Sequence, residues 1–159
     1  CWIEHVAAIQ GVVIPDMPLP EYRAVKWDQV REMSVHNLEI GAHSRTHPSL
    51  GKIVSSQLQD EVQGSVDDIS EAIGYQPACF CYPNGQPADY TDVVKLHVQK
   101  AGCSFAVTAF YDESLTEDLF ELRRFNASEH WPAFLKTVNG IDVLSARWLK
   151  ASSIMSQIT

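Results

Sequence analysis

Short apolar strands alternating with amphipathic helices predict an α/β chain built on a parallel sheet or barrel. Three observations carry this. A helix with a clean 3.6-residue apolar stripe, Gln57 to Ile73, lies between two strand-like runs, Leu38 to Ala42 and Ala78 to Tyr82. A second helix, Asp92 to Ala101, separates the latter run from a third, Ser104 to Thr108. Residues able to do chemistry then fall at the C-terminal ends of these strands, where the sites of such folds collect. The 159 residues suit one domain, able to bury roughly 70% of its unfolded surface without disulfide staples.

In chain order, Trp2 to Ile9 reads as a short helix ended by Gly11. Pro15, Pro18 and Pro20 make Val12 to Tyr22 a loop, with a short strand expected at Val12 to Ile14. Trp27 to His36 is a helix with Trp27, Val30 and Met33 on one face and Asn37 as its left-handed cap. Leu38 to Ala42 follows as a strand. In Gln57 to Ile73 the stripe is Leu58, Val62, Val66, Ile69 and Ile73. Ser56 and Gln59 have the spacing of a capping box, and Gly74 closes the helix. Gly102 ends the helix begun at Asp92. Ser128 is the expected cap of a last helix, Trp131 to Val138, ended by Asn139-Gly140. Residues 1–150 are expected to form a partial domain, and 151–159 a frayed tail. Trp27 and Phe105 read as core.

The formal charge is −8, and the Lys and Arg residues are scattered, so no basic stripe for nucleic acid exists. No apolar run is long enough to span a membrane. The chain begins at Cys1 and shows neither a signal peptide nor a cleavage signature, and is expected to be the interior of a longer protein. Cys79 and Cys81 share one face of a strand and read as small hydrophobes, since no C-x-x-C spacing supports a metal site.

His43 and His47, separated by Ser44-Arg45-Thr46, are the candidate metal ligands. A helical H-E-x-x-H protease site is excluded: Ser44 stands where the glutamate would be, and Pro48 disfavours helical geometry at His47. The pair belongs to a strand-end loop. One βα unit later, Phe80-Cys81-Tyr82-Pro83-Asn84-Gly85 ends a strand in a turn-forming triplet.

Together, Asp28-Gln29-Val30-Arg31-Glu32-Met33, the Glu39 to Pro48 segment and the Phe80 to Gly85 segment resemble the polysaccharide deacetylases, the NodB-type domains of carbohydrate esterase family four. The similarity runs from about Trp27 to Phe125. It implies an incomplete distorted (β/α) barrel and a divalent metal, commonly zinc. It also implies hydrolysis of N-acetyl or O-acetyl groups on a polysaccharide or oligosaccharide. His43 and His47 match the family's metal-binding histidines. Tyr82, Pro83 and Gly85 match the segment beside the substrate groove, and the amide of Asn84 matches the donor to the oxyanion. In many members an arginine at the position of Cys81 orients the base; Arg124 is the candidate substitute here, with a surface salt bridge as the alternative. His130 is the candidate acid, with an ordinary helix-start residue as the alternative. Tyr82, Phe110 and Tyr111 are the aromatics expected near a sugar.

One departure is large. The family's first motif, a Phe-Asp-Asp-Gly-like segment, supplies the general base and the third metal ligand, and no such segment occurs. The only Asp-Asp pair, Asp67-Asp68, lies inside a helix and reads as a solvated face. The chain is therefore expected to bind metal weakly by itself and not to deacetylate. Alternatives are a sugar-binding relative without catalysis, or an unrelated α/β domain with a two-histidine metal site. The arrangement of the imidazoles about the Pro83-Asn84 turn, with Asp16 or Asp89 as possible third groups, tests them.

Overall fold

A computed structural model describes residues 2–109, 118–125 and 127–141. Its helices are α1 (Trp2–Gln10), α2 (Trp27–Val35), α3 (Ser55–Ile73), α4 (Asp92–Lys100) and α5 (Trp131–Val138). Its strands are β1 (Cys79–Cys81), β2 (Phe105–Thr108) and β3 (Leu122–Arg123). They form an open parallel sheet in the order β1-β2-β3. Ala42 joins the free side of β1 through a parallel bridge to Phe80. This α/β architecture is the expected one, an open sheet consistent with an incomplete barrel.

Helix α3 follows Ala42 and α4 follows β1, so each packs as a crossover. Leu58, Val62 and Val66 of α3 meet Val94 and Val98 of α4, and Phe80, Tyr82 and Ala106 complete the core with Ala42 and Leu50. Each buried Val, Leu or Phe among these contributes about 1.5–3 kcal/mol by leaving water. Phe80 is fully buried, while Cys79 and Cys81, on the opposite face of the pleat, are half-buried. Lys95 on α4 binds Asp118 and Glu121, pinning the approach to β3, and these partners raise its pKa.

Several expectations shift. Of Leu38 to Ala42 only Ala42 has a ladder partner among the described residues, donating to Cys79 and accepting from Cys81; Leu38 is exposed. Val12 to Ile14 is exposed and forms no strand. Trp27 is half exposed rather than core, and Phe105 is half-buried. Helix α3 begins at Ser55, so Ser56 lies inside the first turn and no side chain caps the start. Ser128 lies ahead of α5 and accepts from the amide of His130, which is the capping residue. Gly74 and Asn37 take the left-handed conformations expected of them, with φ of 82° and 63°. Residues 142–159, Phe110 and Tyr111 lie outside the described residues.

Candidate metal and oxyanion site

The bridge at Ala42 carries the next residue, His43, to the end of β1. Its Nδ1 lies 2.7 Å from the carbonyl oxygen of Cys81. A carbonyl only accepts, so Nδ1 holds the hydrogen and Nε2 keeps a free lone pair, the usual arrangement of a metal-binding imidazole. The His47 ring stands edge-on to it, centroids 4.8 Å apart and planes at 77°. The two rings are thus brought together as the spacing suggested. Among the described residues no third His, Cys, Asp or Glu completes a metal-binding group with them. Two imidazoles, one already oriented, fit a zinc-like ion as part of its ligand set.

The loop between the histidines is bent through left-handed conformations at Ser44 (φ 63°) and His47 (φ 60°). What holds it is Glu61, on α3 beside the core stripe. Its carboxylate accepts from the amides of Arg45 and Thr46, both at 2.9 Å, and from the Thr46 hydroxyl at 2.5 Å. The Ser44 hydroxyl hydrogen-bonds it as well, and accepts from the His47 amide at 3.1 Å. Partial burial would raise the Glu61 pKa, but these donors together hold it below the ordinary value. One turn on, Arg45 lies across Gly64 and makes a two-pronged pair with Asp68, at 2.8 and 2.7 Å. Asp68 is therefore no idle solvated carboxylate, and its pKa is lowered mainly by Arg45. Sequence reading passed over Glu61. The signal available was a polar set at Glu61, Gly64 and Asp68, spaced to share one helix face.

The second half of the site is the turn after β1. Tyr82 was expected to face a sugar; its ring is fully buried, stacked on Tyr90 at 5.2 Å, with its hydroxyl donating to Phe120 at 3.0 Å. Burial raises its pKa. Tyr82 therefore supports the turn from beneath and offers no face to a ligand. Pro83 is likewise fully buried, which corrects its expected substrate contact. Gly85 is buried, at φ 64°, and a Cβ there would stand 2.3 Å from the Ala109 nitrogen, so the backbone contact to Ala109 requires glycine. Asn84 is exposed at φ 57°, and among the described residues its amide meets no acceptor. It lies three residues past Cys81, so at most about 11 Å of chain separates it from the carbonyl that orients His43.

Arg124 closes the arrangement. Its Nε donates to Thr108 at the end of β2, at 2.8 Å. Its guanidinium also lies against Cys81: burial pushes the Cys81 thiol up, while the charge and hydrogen bond of Arg124 pull it down. Burial likewise raises Cys79, to about 11. Arg124 thus reaches Cys81 from the side-chain direction while His43 takes its carbonyl. The other candidates stay apart. Asp89 is occupied by Ser49 and Gln86. Asp16 joins no metal-binding group among the described residues. His5 and His36 are exposed, and His97 lies near the Ser55 hydroxyl. His130 is exposed at the start of α5.

Residues 7–106, more than half the chain, match the profile of the polysaccharide deacetylase family. Solved structures share the fold at low identity. The deacetylase PplD of Streptococcus pyogenes, in complex with acetate, superposes with a TM-score of 0.62 at 20% identity, covering 74% of this chain and 52% of that one. The deacetylase domain of BpsB from Bordetella bronchiseptica gives 0.56 at 16% identity, covering 69% and 52%. A polysaccharide deacetylase from Bacillus cereus gives 0.53 at 18%, covering 77% and 42%. The chain spans about half the length, or less, of these structures. No curated protein matches it. No helix among the described residues is long and apolar enough to cross a membrane.

Proposed function

Because the chain belongs to the polysaccharide deacetylase family, we propose that it carries the two-histidine part of a metal-dependent site that removes acetyl groups from a polysaccharide or oligosaccharide. The observation that carries this is the pairing of His43, oriented through Nδ1 by the Cys81 carbonyl, with His47. His43 and His47 would hold the ion, and a zinc-like ion supplies Lewis-acid polarisation of the acetyl carbonyl. The amide of Asn84, without an acceptor among the described residues, is the donor for the oxyanion that forms on that carbonyl. Arg124, against Cys81, places a fixed positive charge where it can orient a carboxylate base. That base and the third ligand come from outside the described residues. The acetate bound in the Streptococcus pyogenes structure is the product such a reaction releases.

Isothermal titration of the full chain with zinc tests the reading. Weak binding that disappears in His47→Ala is the expected result. Tight one-to-one binding would show the ligand set to be complete, against the proposal. Heat indistinguishable from that of a His43→Ala/His47→Ala chain would remove the metal assignment.

A further inference from the structure

The exits of the two site loops converge on one carboxylate. Asp89 is buried, with 6% of its surface exposed. One oxygen accepts from the Ser49 hydroxyl, two residues past His47. The other accepts from the Gln86 amide, two residues past Asn84, at 3.0 Å. The Asp89 amide donates back to the Gln86 carbonyl at 2.8 Å. The same two stretches touch again where Gly51 passes Ala88: a Cβ on Gly51 would stand 2.1 Å from the Ala88 carbonyl oxygen. These contacts form one seam, Ser49 to Gly51 against Gln86 to Asp89.

We propose that Asp89 is a positioning residue that fixes the histidine loop and the Asn84 turn relative to one another. Its consequence for chemistry rests on the metal and oxyanion reading above; the seam itself does not. A carboxylate has two acceptor oxygens and no donor, so each loop must bring a hydrogen to it. Burial makes either bond costly to lose. Asparagine can serve the same pair, its carbonyl accepting from Gln86 and its amide donating to the Ser49 hydroxyl, which both gives and takes. Leucine fills the space and offers neither.

Amide hydrogen exchange, followed by NMR on the metal-free full chain, tests this with Asp89→Asn and Asp89→Leu. In the Leu chain the Gln86 amide exchanges at least about tenfold faster, and in the Asn chain near the wild-type rate. Equal Gln86 rates in the Leu and wild-type chains, or an Asn chain that behaves like Leu, overturn the proposal. Ser49→Ala covers the case in which the Leu chain fails to fold. Removing that hydroxyl shifts the Gln86 amide resonance through the shared carboxylate, whereas changes confined to the neighbourhood of Ser49 count against the seam. None of these readouts needs a metal. A chain that binds no zinc therefore removes the metal assignment and leaves this proposal to be decided at Gln86.

Discussion

The histidine loop follows Ala42 and the Asn84 turn follows its bridge partner β1, but different forces hold them. The loop from His43 to His47 is largely exposed and shaped by hydrogen bonds to one carboxylate on α3. The turn rests on the buried Tyr82 and Pro83, with Tyr82 stacked on Tyr90 and tilted against Phe80. An exposed loop buries little, so its shape relies on directed polar bonds. The turn instead buries the side chains that flank it, and packing fixes its backbone. The two halves should therefore respond to different perturbations.

The largest effect is expected at the packed half. Tyr82→Ala removes a fully buried aromatic and leaves a cavity against Tyr90 and Phe80, costing about 3–5 kcal/mol of global stability. Urea unfolding measures it. Because Tyr82 belongs to the common core, this cost appears in the unfolding of the whole sheet, not in the turn alone. A loss below about 1 kcal/mol would mean that packing is not what holds the turn.

The polar half should respond to pH while the packed half does not. The Glu61 carboxyl has a folded pKa below its ordinary 4.5, because its donors outweigh the opposing effect of burial. A group depressed on folding contributes above its unfolded pKa and loses that contribution as pH falls through the folded value. The clamp should therefore stand at neutral pH and release only below 4.5. Resonances of the Arg45 and Thr46 amides report the release, and Glu61→Gln should abolish the step. Asp68 is also depressed, so Asp68→Asn is run beside it to separate the two. A step at or above 4.5 would contradict the clamp, and an equal step at Gly85 would erase the distinction between the halves.

What was legible in the sequence follows the same division. The 3.6-residue stripe of α3 and the stop at Gly74 are local patterns, and both appear as expected. The histidine pair and the turn were legible because each is a short contiguous motif. The side on which Tyr82 falls was also available: if Cys79 and Cys81 share a face, Phe80 and Tyr82 share the other, and that other face is covered by helices. Its aromatic character at a strand end outweighed the alternation. Glu61 and Asp89 were not legible as clamps, because their partners in the histidine loop and its exit lie far along the chain, and the local bonds between Asp89 and Gln86 read as an ordinary turn. Hydrogen bonds over 15 and 16 residues for Glu61, and 40 for Asp89, leave no local spacing to read. Leu38 to Ala42 failed for a related reason. Its apolar pattern suits a strand, yet strand pairing needs a neighbour, and among the described residues only Ala42 has one.

The smallest effect should come from the contact between Arg45 and α3, and its sign is informative. Gly64 is the mid-helix residue over which the Arg45 guanidinium lies, and a Cβ there would come within 2.4 Å of it. The obstructing group is the far end of a flexible side chain, so it can swing aside at the expense of an exposed ion pair with Asp68. Against that loss, alanine gains roughly 0.5–1 kcal/mol over glycine inside a helix. Gly64→Ala should therefore leave the chain equally stable or slightly more so in thermal unfolding, with the Arg45 and Thr46 amides still protected by Glu61. If the variant instead loses both stability and that protection, the Arg45 pair and the Glu61 clamp act as one unit. The histidine loop would then depend on a wider stretch of α3 than a single carboxylate.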